Sequence, residues 1–600
     1  MKLRPFLTVL TAIVLVLISA SVAGAVWLSR QSPVGLDDKR ISSPPEAALF
    51  VSRQAPLMLS LQINPDRLKA YRLTNVPIGE RAQIQAQFDR WQRRLLGESK
   101  LSYGDDIAPW AADEMTLALM NPDVDRDPAN GQQPGYLLAV EVADPTQAQA
   151  SLQRFWRSQT SARNQVKEMF AGVELTYANN DSRRSSGTEI ESPSLTTAIV
   201  SDRFVLFANY PKVLKQALNN VQVAELGLNA DRTYQQAVEQ LSDRRIGMAF
   251  VNLPQFATWL TAERPEPIDS RLIAALQPTT EGILAKLTLL SPPNSLNRSL
   301  IDSSSDSRDR AKDVSQDRST AVQTILKNLP ANSVFALSGV DVGQTWKEVQ
   351  AADVSWAVPL RETVDRLQQQ WDIDLAADLF PWMPGAFTLA LVPRSDASGT
   401  IANETGLLQQ FDAVFVTERS PDAEAGLDQL NRIAVRRGFS SGTFQLDDSN
   451  VFAWTKLEPQ RSSNKLSLAA TIKGLHSQVG EYQVFATSVE AMQQVIAAST
   501  AEAPPFVQQL LARLNQSEDE SDASAPGLGN DRYQGYVDWT VFRSRYGNQP
   551  LVQRLEQTVK PLFEGLQTVA FTAEASKTQR EQNQAGRSLG TLLLRFQEQK

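Results

Sequence analysis

Three aspartates alternate in Asp123-x-Asp125-x-Asp127, a spacing at which carboxylates can share a calcium ion. An EF-hand-type loop also needs Gly at its sixth position and a bidentate Glu at its twelfth. Those positions hold Pro128 and Pro134, which supply neither the turn nor the oxygens. The stretch therefore reads as a solvated hairpin loop, with weak calcium binding left open. The single histidine, His476, cannot build a multi-histidine metal site, and its polar surroundings predict a solvated ring. The chain has no cysteine, which excludes disulfides, thiolate metal sites and thiol nucleophiles. The sequence predicts no catalytic residue, no metal ion and no cofactor, and a protein that is not an enzyme.

Two carboxylate–tryptophan pairs recur at one spacing. Asp106 and Trp110 stand in DIAPWAADEMTLAL, and Asp378 and Trp382 stand in DLFPWMPGAFTLAL. A Trp beside Pro, ahead of an apolar strand, reads as a core anchor because the ring buries a large area. Stacking on a ligand is the competing reading. Asp106 and Asp378 read as helix caps or turn formers. As catalytic carboxylates each would need a partner at a defined distance.

The elements that hold these pairs recur in the same order. Upstream, Ile84, Phe88, Trp91 and Leu95 match Leu360, Val364, Leu367 and Trp371, both at the spacing of one helix face. Downstream, the strand-like YLLAVEV matches QFDAVFV. Two helix starts follow, with Asp144 or Ser420 as N-cap and Pro145 or Pro421 in the first turn. RFVLFANYPKVLKQAL then matches EYQVFATSVEAMQQVI, IGMAFVNLPQF matches QGYVDWTVFRS, and EGILAKLTLL is paired with LQTVAFTAEA. Collinear matches across both halves predict an internal duplication. Strands in adjacent pairs, without strict βαβ alternation, predict an α+β fold. Each of two tandem units would be a mainly antiparallel sheet with helices on one face.

Composition is that of a globular chain, with 42% hydrophobic and 21% charged residues, so real cores can form. The net charge of −8 argues against nucleic acid and against a peripheral protein held by anionic lipid. Lys2 and Arg4 precede an uncharged apolar run, Phe6 to Leu28, long enough to cross a bilayer as a helix. The basic flank places the N-terminus in the cytoplasm and the body outside. Two readings stay open: an uncleaved anchor, or a signal peptide cut after Ala25. The predicted organisation is an anchor or signal over 1–28, a polar stalk over 29–45, unit 1 over 46–292, a Ser/Asp/Arg-rich linker over 293–322, and unit 2 over 323–600. The location expected is a plasma or thylakoid membrane, with the body in the periplasm or lumen.

The stretches DIDLAADLFPWMPGAFTLALV and YGDDIAPWAADEMTLALM resemble the pattern of a bacterial family, domain of unknown function 3352, of cyanobacterial type. The resemblance implies no activity and no site residues. The expected role is a non-catalytic envelope interaction or scaffold protein, membrane-attached through its N-terminus and facing an unknown envelope partner. The alternatives are a carrier of an apolar, lipid-like ligand and a hydrolase using dispersed carboxylates.

Overall fold

The structure is a computed structural model. It describes residues 41–64, 101–127, 132–178, 194–290, 321–351, 374–394, 411–499, 531–546, 566–574 and 587–596, apart from short gaps within these spans. The apolar N-terminal run, the two helical stripes and most of the stalk and linker lie outside the described residues.

Two compact units emerge. The first holds β1 (Leu57–Leu61), β2 (Ala111–Asn121), β3 (Gly135–Val142), β4 (Gln165–Phe170), β5 (Val173–Ala178), β6 (Thr196–Val200), β7 (Phe204–Ala208), β8 (Gly247–Asn252), β9 (Arg271–Pro278) and β10 (Gly282–Leu290). Its helices are α1 (Pro145–Gln159), α2 (Pro211–Gln222), α3 (Arg232–Glu239) and α4 (Leu253–Thr261). The second holds β11 (Phe335–Val340), β12 (Ala386–Pro393), β13 (Phe411–Glu418), β14 (Ser440–Leu446), β15 (Ser449–Ser462), β16 (Lys465–Val479), β17 (Tyr482–Ala486), β18 (Asp531–Asp538) and, from Thr568, β19 (Leu566–Glu574). Its helices are α5 (Val342–Ala351), α6 (Ala423–Arg436), α7 (Val489–Ser499) and α8 (Trp539–Tyr546). The last described strand, β20 (Arg587–Phe596), belongs to the first unit, where it pairs with β10.

The strand order in the first unit is β4-β5-β6-β7-β3-β2-β1-β8-β9-β10-β20. In the second it is β14-β15-β16-β17-β13-β12-β11-β18-β19, the same path through the same kinds of segment. This order corrects one detail of the sequence matching. β19 pairs with β18 as β9 pairs with β8, so LQTVAFTAEA answers β9, whereas EGILAKLTLL forms β10.

The expected α+β class is itself corrected. The molecule is mainly antiparallel sheet, with twenty strands among the described residues and short helices laid on them. No described helix is long and apolar enough to cross a membrane, and the expected N-terminal transmembrane helix falls on residues outside the described ones, so it is not supported as part of this fold. Nor do the helices keep to one face. Leu137 and Ala139 of β3, with Phe204, Leu206 and Ala208 of β7, join Val213, Leu214 and Ala217 of α2 in one core. Leu138 and Val140, with Val205 and Phe207, join Leu152, Phe155 and Trp156 of α1 in another. Neighbouring residues of one strand point to opposite faces, so the sheet is packed on both sides. The cause is in the strands: all five residues of β7, FVLFA, are buried, and a strand apolar at every position needs cover above and below.

Candidate functional site

The two Asp–Trp pairs fold into one corner, built twice. A single π turn over Tyr103–Ile107 is capped by Ser102, whose Oγ accepts from Asp105 N. Asp106 Oδ2 accepts from Ser102 N at 2.9 Å. Trp110, fully buried, donates from Nε1 to the Asp106 carbonyl at 2.5 Å. In the second unit a π turn over Leu375–Leu379 is capped by Asp374 Oδ1, which accepts from Ala376 N and Ala377 N. Asp378 Oδ2 accepts from Asp374 N at 3.0 Å, and Trp382 Nε1 donates to the Asp378 carbonyl at 2.9 Å. Each Trp carbonyl then accepts from the segment that follows the next strand pair, from Ala143 N at 2.8 Å or from Ser420 Oγ at 2.6 Å. Indole N–H and carboxylate thus close a polar ring around an apolar anchor, satisfying groups that burial would otherwise strand.

Other carboxylates hold backbone in the same way. Glu141 Oε2 accepts from Glu114 N at 3.1 Å, and Glu418 Oε2 accepts from Ala386 N at 2.8 Å. Glu114 is buried and accepts from Glu46 N, Ala47 N and Thr116 Oγ1. Burial raises its carboxyl above the ordinary range, and those hydrogen bonds oppose the rise. Asp412, also buried, pairs with Arg394 at 2.8 Å and accepts from Thr487 Oγ1 and Ser488 Oγ at the start of α7. Sequence reasoning missed Glu114 and Asp412, though a signal existed. Period-two alternation puts Glu114 on the face of Ala118 and Met120, and Asp412 on that of Val414 and Val416.

In the aspartate loop, Asp123 Oδ1 accepts from Gln133 N at 3.1 Å and Asp125 Oδ1 accepts from Asp127 N at 3.0 Å. Burial, with the nearby Asp125 and Asp127, raises the Asp123 carboxyl. Among the described residues no three acidic, His or Cys side chains are placed to share a metal ion. The helix starts differ from one another. Asp144 Oδ1 accepts from Thr146 N and Gln147 N and caps α1, whereas Ser420 turns its hydroxyl to Trp382 and α6 has Asp422 at its N-cap position, without a side-chain cap bond.

His476 corrects its expected place in solvent. It lies buried on β16, stacked on Phe452 at 5.0 Å and beside Trp454 at 5.1 Å and Phe485 at 6.0 Å. Gln483 Nε2 is 3.4 Å from Nδ1, and Nε2 has no hydrogen-bond partner among the described residues. Burial pushes the ring's pKa down to about 4, so it is neutral at pH 7. At the matching point of the first unit Thr197 faces Phe207, as His476 faces Phe485, and its Oγ1 accepts from Trp156 Nε1 at 2.8 Å.

One nucleophile spacing escaped the sequence reading. Gly438-Phe439-Ser440-Ser441-Gly442 has the G-x-S-x-G pattern. It leads from α6 into β14, the reverse of the strand–turn–helix context that exposes a nucleophile on an elbow, and Ser440 is an exposed strand residue.

Fold and site together define a class: an antiparallel framework, repeated in two units, whose half-buried carboxylates and buried indoles hold backbone. The chain belongs to the family described as protein of unknown function DUF3352, whose family model matches residues 9–586. No curated protein and no solved structure matches it.

Proposed function

We propose that this chain is an exported, non-catalytic scaffold of the cell envelope that presents its framework to a partner protein. One observation carries the reading: the carboxylates of Asp106, Asp378, Glu141 and Glu418 are engaged by backbone N–H groups at both corners and both strand starts. A general acid or base must instead reach the proton it moves. Export is supported by the basic flank and apolar run of residues 2–28. Crosslinking of the full chain in intact cells, followed by identification of partners, tests the role. A reproducible envelope protein crosslinked to the body is expected. Turnover of a defined substrate by the purified full-length chain would overturn it.

A further inference from the structure

One row of residues crosses four strands in each unit, rung by rung. In the first unit it reads Thr116 of β2, Ser60 of β1, Met248 of β8 and Ala275 of β9. In the second it reads Thr388 of β12, Ser338 of β11, Gln534 of β18 and Thr572 of β19. Residues directly opposite in an antiparallel ladder share a face, so each row lies on one side of its sheet. All eight residues are buried.

The hydroxyl pair is kept and the rest differs. In the first unit Thr116 Oγ1 lies 2.9 Å from Ser60 Oγ and donates to Glu114 Oε1 at 3.2 Å, while Met248 and Ala275 complete the row as apolar core. In the second, Ser338 Oγ and Thr388 Oγ1 stand 2.6 Å apart, and Ala386 occupies the place of Glu114. An amide and a hydroxyl, from Gln534 and Thr572, replace the apolar pair.

Gln534 is fully buried, and neither Nε2 nor Oε1 has a hydrogen-bond partner among the described residues. A primary amide brings two donors and an oxygen that accepts twice, and leaving such groups unmet in a protein interior is costly. Its neighbours on the same face, Ser338 and Ala336 of β11 and Thr572 and Ala570 of β19, are all short. The row carries no charge, so its chemistry suits a small neutral molecule that both donates and accepts.

We propose that Gln534, Ser338 and Thr572 form an internal water site, in which buried solvent donates to the amide oxygen and accepts from the amide N–H. A buried water takes about three polar partners, which one amide and two hydroxyls supply.

The test pairs crystals of the full-length chain with crystals of Gln534→Met, which copies the first unit, both at a resolution that shows ordered water. In the native chain a solvent-sized peak is expected within hydrogen-bond distance of Nε2 or Oε1 and of Ser338 Oγ or Thr572 Oγ1. In the variant the peak is expected to be gone, and oxygen-17 relaxation dispersion in solution should count at least one long-lived water fewer. An amide bonded to protein atoms alone, no peak beside it, or a peak too large for water overturns the proposal, and so does a peak that persists in the variant. If the variant does not fold, the native crystal still decides among the first three.

Discussion

At His476 burial disfavours the charged imidazole, and the Gln483 amide N–H that faces Nδ1 can donate only to an unprotonated ring nitrogen, so the neutral ring is the folded form. Its folded pKa of about 4 lies below the ordinary 6.5. The stability it contributes is complete above the ordinary value and is lost as pH falls towards the folded one, on the order of 3 kcal/mol in all. The urea midpoint of the second unit is expected to drop over that window, and His476→Phe is expected to flatten the drop. Trp382 poses a simpler test. Trp382→Phe keeps most of the ring but removes the bond to the Asp378 carbonyl, and should cost about 1–2 kcal/mol by urea titration. Both corner tryptophans were legible as anchors because one spacing occurs twice. His476 was not, because a polar local sequence says nothing of rings brought from β15 and β17.

At the scale of elements, α6 meets its corner at Gly426. A Cβ there would collide with the Trp382 indole, so close approach of helix and ring requires glycine. Gly426→Ala should destabilise the second unit by about 1–3 kcal/mol through overpacking, read as a lower urea midpoint with the first unit unmoved. Strand positions were readable from apolar runs such as RFVLF and AVFV, and so was their antiparallel pairing. The cover on both faces was written in the same runs but needed a different inference: a continuous apolar strand is one with two cores. The row through Gln534 could not be read, because which residues face one another across strands depends on register, which local pattern does not set.

At the scale of the molecule, β20 joins a unit most of whose strands lie before residue 291. Its register with β10 runs from Gly282↔Arg595 to Leu289↔Arg587, with a bulge beside Leu287. Ending the chain before Arg587 should therefore weaken the first unit. Limited proteolysis is expected to cut near β10 in the shortened chain while β11–β18 stay protected. Equal resistance of β10 in both chains would show that β20 adds nothing. No collinear comparison of halves could reveal this, since it assumes that each half closes on itself.

β20 also makes time a structural variable. Gly282 and Arg595 are rungs of one ladder, yet roughly 300 residues of synthesis separate them. At about 5–20 residues per second, that is a wait of ~15–60 s. Throughout it β10 has one side made and the other still on the ribosome. The first unit thus cannot complete its sheet until the second has been translated, and its maturation is paced by that synthesis.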